Sequence, residues 1–286
     1  MTQTIQIGRI NQLLIERKSE PGLYLKDKEG QEVLLPNAYV SVAMEIGQKL
    51  DVFVYTDSED RLIATTREPS ARLGEFALME VKDVASFGAF CDWGLPKDLF
   101  VPTKFQKTPF RVGQKRVIRV SLDEQTDRLI GVEKIGKYLS DKRPDFQKGQ
   151  EVALFVLAQT PLGFKAIINN RFTGMLFKNE VFTPVAIGER LKGYIKEVRQ
   201  DGKITLSLRP LEEGDSYAKE RILHVLRTHE YVLPYNYKST PEEIYARFGL
   251  SKKAYKRALT LLQEEGAIGM DEKGMYFKGA SGLQGR

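Results

Sequence analysis

Cysteine is almost missing from this chain. Cys91 stands alone among 286 residues, so no disulfide can close within it and no thiolate zinc site can be assembled, which fits a reducing cytosol. Histidine is nearly as scarce: His224 and His229 are the only two. Both sit in or just after a segment of helical spacing, where ordinary surface or packing roles are expected. With no histidine-cysteine set, no Walker loop and no paired-carboxylate motif, the sequence offers no metal site, no cofactor site and no catalytic residues, and an enzyme is not expected. The opening MTQTIQIGRINQ lacks a basic stretch leading into an apolar run, and no later apolar run approaches the length of a membrane span. A cytoplasmic protein with no membrane partner is the expectation.

What the chain does have is a basic middle. Residues 1–68 carry a net charge of −3, residues 69–143 and 144–210 each +4, and residues 211–286 +1. Positive charge concentrated in this way is the footprint of a polyanion partner, because neutralising phosphates releases their counterions.

The most informative stretch lies inside that middle. Residues 75–84, 87–92, 97–103, 115–123 and 127–133 read as five short strands separated by Gly, Pro and Asp punctuation. Five short strands in about sixty residues, with no helical period among them, suit a small closed barrel of the OB type. Phe87-Gly88-Ala89-Phe90 carries the identification, followed by the D-L-F-V-P segment after Gly94. This stretch resembles the RNA-binding S-one domain, the OB-fold repeat of the ribosomal protein of that name. The resemblance implies that Phe87 and Phe90 lie on the barrel surface and stack on bases. In a regular strand, positions i and i+3 face opposite sides, so Gly88 is expected to mark a bulge that re-aims one ring. Trp93 is open to either a stacking or a core role. Arg116, Arg119 and Arg128, on the later strands, suit stacking or phosphate contact, with a solvated strand face as the alternative.

A repeat extends the pattern along the chain. Ile46-Gly47-Gln48, Val112-Gly113-Gln114 and Ile187-Gly188-Glu189 each precede an alternating strand, and each leads to a basic-apolar pair, Arg61-Leu62, Arg128-Leu129 and Lys203-Ile204. Three barrels in tandem follow, over residues 1–68, 69–143 and 144–210. In the first, Pro21-Gly22-Leu23-Tyr24 stands where FGAF stands in the second, so Tyr24 takes the second aromatic position and the first is missing. In the third, Phe164 beside Gly163 keeps part of the motif. Gly174-Met175-Leu176-Phe177 resembles the segment that closes an S-one site, with Phe177 in place of a stacking histidine, and Lys203 follows the Asp201-Gly202 hairpin turn. Residues 136–144 form a basic linker.

After Pro210 the period changes from two to 3.6. Residues 216–228 read as a helix. Thr240-Pro241-Glu242-Glu243 is a capped helix start, and Ser251 caps a third helix running to about residue 265. Residues 267–277, with a turn at 272–274, read as a two-stranded wing, and residues 279–286 as a tail. Helix, helix, turn, helix and wing make residues 211–286 a winged helix-turn-helix domain. In its third helix Tyr255, Ala258, Leu259 and Leu262 form the core stripe, and Lys252, Lys253, Lys256 and Arg257 gather on the opposite face. Cations at a helix N-terminus oppose the macrodipole, so local stability did not select that pattern. Nucleic acid or an acidic protein partner explains it.

Three S-one-like barrels followed by a winged helix resemble the bacterial conserved virulence factor B family. The resemblance implies binding of RNA, here single-stranded, and post-transcriptional regulation. A DNA-binding regulator working through the winged helix is the competing reading. A protein-interaction adaptor on the ribosome or the RNA-degradation machinery is another.

Overall fold

The structure, a computed structural model, describes residues 5–140, 142, 144–178, 181, 184–210, 214–228, 232–271 and 274–278. His229, linker positions 141 and 143, the wing-turn positions 272–273 and the tail 279–286 lie outside the described residues. The chain divides into two compact units, residues 1–139 and 140–286.

The first unit holds two barrels. Strands β1 (Ile10–Ser19), β2 (Gly22–Lys26), β3 (Glu32–Pro36), β4 (Lys49–Thr56) and β5 (Leu62–Thr65) close in the order β1-β2-β3-β5-β4. The parallel contact that shuts this barrel pairs Leu34 with Ile63. Strands β6 (Phe76–Ala85), β7 (Gly88–Asp92), β8 (Leu99–Pro102), β9 (Lys115–Leu122) and β10 (Leu129–Val132) follow in the order β10-β9-β6-β7-β8. Here the expected closure is incomplete, because β8 and β10 share no strand pairing. Side chains bring the two edges together instead: a Cβ on Gly131 of β10 would stand 2.6 Å from the Val101 side chain of β8.

The second unit repeats the closed form with β11 (Glu151–Thr160), β12 (Gly163–Ile168), β13 (Phe172–Phe177), β14 (Arg190–Val198) and β15 (Ile204–Ser207). It continues with α1 (Gly214–Arg227), β16 (Val232–Leu233), α2 (Pro241–Phe248), α3 (Lys252–Glu264), β17 (Ile268–Asp271) and β18 (Gly274–Phe277), the three short strands pairing as β16-β18-β17. The winged helix is therefore as read, with β16 an added strand. Among the described residues no helix is long and apolar enough to cross a membrane.

The repeated glycines explain why one sequence pattern yields three barrels. Gly47, Gly113 and Gly188 have φ of 87°, 81° and 89°, a region that glycine enters without a Cβ penalty. Each donates its N–H to a carbonyl in the first strand of its own barrel, Ile15, Val81 and Val156, at 2.8, 2.9 and 2.8 Å. Next to those residues the register of the first strand shifts, between Ile15 and Arg17, Val81 and Asp83, and Val156 and Ala158. Such a bulge bends a long strand, so one strand can pair along both edges of a small barrel. A second repeated turn lies just before each basic-apolar pair, where Asp60, Asp127 and Gly202 have φ of 63°, 53° and 80°. Asp57 prepares the first of these by accepting hydrogen bonds from the N–H groups of Glu59 and Arg61 at 2.9 and 3.0 Å, which is the Asx-turn chemistry that favours Asp there.

The two barrels of the first unit share a core. Phe53 and Tyr55 of β4 lie in one buried cluster with Trp93, Leu95, Val101 and Ile118 of the second barrel. In the winged helix, Tyr255, Ala258, Leu259 and Leu262 are buried with Ile244 and Phe248 of α2, as the helical stripe predicts. Thr240 and Glu243 form the expected capping box.

Candidate nucleic-acid interface

Phe87 lies in the turn between β6 and β7 and is 62% exposed. Phe90 follows on β7, directly across from Phe100 of β8. The three rings form one cluster: centroids are 6.4 Å apart for Phe87 and Phe90, 5.7 Å for Phe87 and Phe100, and 5.3 Å for Phe90 and Phe100. The expected bulge at Gly88 is corrected. The register shift is in β6, between Val81 and Asp83, and Phe87 meets Phe90 because it stands in the turn, outside the strand's alternation. Gly88 is needed for another reason. A Cβ there would overlap the Phe100 ring and stand 2.7 Å from the Val101 carbonyl oxygen. Phe100 belongs to the D-L-F-V-P segment but is absent from the residues singled out by sequence, because its partnership with Phe90 is a cross-strand fact.

The rings border a cavity of about 500 Å³ that lies where β8 and β10 fail to pair. Its other wall is the Thr56–Asp60 turn of the first barrel, with Ser58 and Asp60 on it. Arg128 lines the cavity and is bonded to the Asp60 carboxylate. Lys97 reaches the same carboxylate at 3.6 Å and donates to the Asp57 carbonyl at 2.6 Å. Cations are thus held at the rim by an acidic turn from the neighbouring barrel.

Three of the sequence-predicted residues of this barrel are drawn away from a free surface role. Trp93 is only 2% exposed; it borders the cavity floor but packs against Phe53 and Tyr55, so its faces are not free to stack on a base. Arg116 is drawn away by Glu133 at 3.4 Å, by Gln114 at 2.8 Å and by the Phe110 ring at 5.1 Å. Arg119 is covered by the Tyr138 ring at 3.9 Å.

Register identifies the equivalent positions of the other barrels. Gly22, Gly88 and Gly163 pair with Pro36, Pro102 and Phe177. Two residues further on, Tyr24 faces Leu34, Phe90 faces Phe100, and Lys165 faces Met175. Tyr24 thus does hold the second aromatic position, but the Arg17 guanidinium covers its ring at 3.7 Å and is itself paired to Glu32 at 2.7 Å. In the third barrel Phe164 is corrected: it falls at the inward register of Ala89 and packs against the core, leaving Lys165 where Phe90 stands. Phe177 is half-buried at the register of Pro102. Lys203 fares better, lining a second cavity of about 400 Å³ with Lys165, Lys142 and Met175, although Asp201 holds its ammonium at 2.9 Å.

On α3, Lys253, Lys256 and Arg257 are exposed and Lys252 half-buried. Ser251 caps the helix, accepting from the Ala254 N–H at 3.2 Å, and its first turn contains no acidic residue. Among the described residues no group of three His, Cys, Asp or Glu is placed to hold a metal ion.

Comparison with known proteins adds to this geometry. A family model described as S1 domain matches residues 7–67, and one described as CvfB-like winged helix domain matches residues 220–277. The first match falls on the barrel that lacks the first aromatic of the motif. Both modules belong to folds that carry nucleic-acid-binding surfaces. The chain is 28% identical over 276 residues to "Uncharacterized protein YitL" of Bacillus subtilis, covering 93% of this chain and 92% of that one. It is 24% identical over 268 residues to "Conserved virulence factor B" of Staphylococcus saprophyticus, covering 87% and 89%. Among solved structures, a multidomain protein with nucleic acid binding domains from Streptococcus pneumoniae matches at 25% identity and a TM-score of 0.40, over 95% of this chain and 98% of that chain.

Proposed function

This chain belongs to the conserved virulence factor B family, and from that footing we propose that it binds single-stranded RNA and acts in post-transcriptional regulation. It works as a cytoplasmic binding protein without a catalytic step. The observation that carries the reading is the ring cluster of Phe87, Phe90 and Phe100 beside Arg128 and Lys97, opening on a cavity large enough for a base. Aromatic faces stack on unpaired bases whatever their sequence, and adjacent cations meet the phosphates. A duplex hides the faces that such rings need, so single strands are preferred.

The test is fluorescence anisotropy with labelled single-stranded RNA and duplex DNA over a salt series. Single-stranded RNA should bind more tightly, with affinity falling steeply as salt rises. Phe87→Ala should weaken it by about 1 to 3 kcal/mol, on the order of five- to a hundredfold, with the fold retained. A flat salt response, or full affinity without the Phe87 ring, sinks the proposal. The exposed cations of α3 support a second reading, a DNA contact through the winged helix; preference for the duplex would favour it.

A further inference from the structure

We propose that the cavity at the unpaired β8–β10 edge takes the guanine base of a bound strand, with the Asp98 carboxylate reading its Watson–Crick edge and the first barrel forming the opposite wall. The inference deepens the RNA reading and rests on it.

The rings cannot select a base, since every base has a π-face. Selection has to come from polar groups at the base edge. Asp98 lines the cavity two residues before Phe100 on β8, so the two side chains share the outward face. Lys82 is a cation whose charge acts on Asp98, yet the two form no ion pair. Lys82 is instead bonded to Glu80 at 3.1 Å and paired with Asp92 at 3.8 Å, and among the described residues Asp98 makes no hydrogen bond or ion pair. Asp60, the other carboxylate of the lining, is taken by Arg128 and Lys97. Asp98 is thus the acidic group of the cavity with lone pairs to give.

An ionised carboxylate accepts hydrogen bonds and donates none. Guanine alone among the RNA bases presents two adjacent donors on its Watson–Crick edge, the N1–H and the N2 amino group, and a carboxylate can receive both at once with charge assistance. Uracil turns two carbonyl oxygens around a single N–H, and both oxygens would face the anion. The opposite wall, with Thr56 and Ser58, comes from the first barrel. That barrel's own ring, Tyr24, is already covered by Arg17, so its part in the site is to wall the neighbour's pocket.

The experiment uses the full chain, anisotropy, and two labelled RNA octanucleotides: one all uridine, the other with a single central guanosine. The guanosine strand should bind on the order of tenfold more tightly, the discrimination typical of one bidentate contact. Asp98→Asn should erase that preference, weakening the guanosine strand and relieving the repulsion that the carboxylate imposes on uracil oxygens in the all-uridine strand. Ser58→Trp, on an exposed turn of the first barrel, should fill the cavity and erase it as well; this arm decides the matter if Asp98→Asn misfolds. Equal binding of both strands by the parent protein overturns the guanine pocket while the RNA reading stands. Failure of both strands to bind overturns the two together. A preference that survives Asp98→Asn removes Asp98 from the role, and one that survives Ser58→Trp removes the first barrel. Guanosine monophosphate titrated alone should bind far more weakly than the strand; equal affinity would assign the pocket to a free nucleotide and overturn the strand reading.

Discussion

The Trp93 indole stands edge-on to Phe53 across the boundary between the first two barrels, with centroids 5.9 Å apart and planes at 77°. Its Nε1 donates to the Lys97 carbonyl at 2.6 Å. The ring therefore fixes the strand end that carries Lys97 and Asp98 while it fills the core shared by both barrels. Trp93→Ala should destabilise the first unit by about 3 to 5 kcal/mol, the range for removing a large buried aromatic. Denaturant unfolding checks this, and a loss below about 1 kcal/mol would show that the barrels do not depend on the shared core.

Asp98 should cost the fold stability at neutral pH. Burial raises its carboxyl above the ordinary range, and the nearby Asp92 charge adds to the rise. A carboxyl whose folded pKa is raised holds its proton more tightly in the folded state, so stability falls as pH climbs from the unfolded-state pKa through the folded one. Asp98→Asn should accordingly raise the melting temperature at neutral pH. The gain should fade towards about pH 3, where both states are protonated. A variant that melts at or below the parent at neutral pH contradicts this.

Cys91 should be chemically silent while the protein is folded. It is fully buried in the shared core, and burial pushes its thiol up to about 12, with the Asp98 and Glu133 charges adding to the effect. The thiolate is the reactive form. A thiol reagent at mildly alkaline pH should label the native protein far more slowly than the denatured one, and equal rates would mean that this core opens readily.

The strands, the caps and the repeat were legible because each is local. Alternation, an Asp or Gly turn and a hydroxyl N-cap are all written within a few residues, and the three turn glycines share one backbone requirement that only their φ makes visible. The candidate site was half legible. Phe87 was named by its motif, whereas Phe100 depends on which residue of β8 lies opposite Phe90. Phe164 looked like a motif aromatic because it follows a glycine, yet register turns it inward and puts Lys165 on the surface. Trp93 was undecidable because the surface of one barrel is the core between two, and no single barrel's pattern records its neighbour. The missing pairing between β8 and β10, beside which the cavity lies, was hidden for the same reason.

Lys253 on the first turn of α3 separates function from stability most cleanly. It is exposed, the helix starts at Lys252, and no acid occupies the first turn, so its charge opposes the positive end of the helix dipole. Lys252 is a poorer choice, since its charge faces Glu243 and helps hold that carboxylate below its ordinary range behind the hydrogen bonds to Thr240. Lys253→Glu should therefore stabilise the winged helix by about 0.3 to 1 kcal/mol at low ionic strength. If this face contacts phosphates, the same exchange should weaken nucleic-acid binding by the full chain and lower the slope of log affinity against log salt by about one. A more stable variant with both affinity and slope unchanged would remove α3 from the nucleic-acid surface and leave its cations for an acidic protein partner.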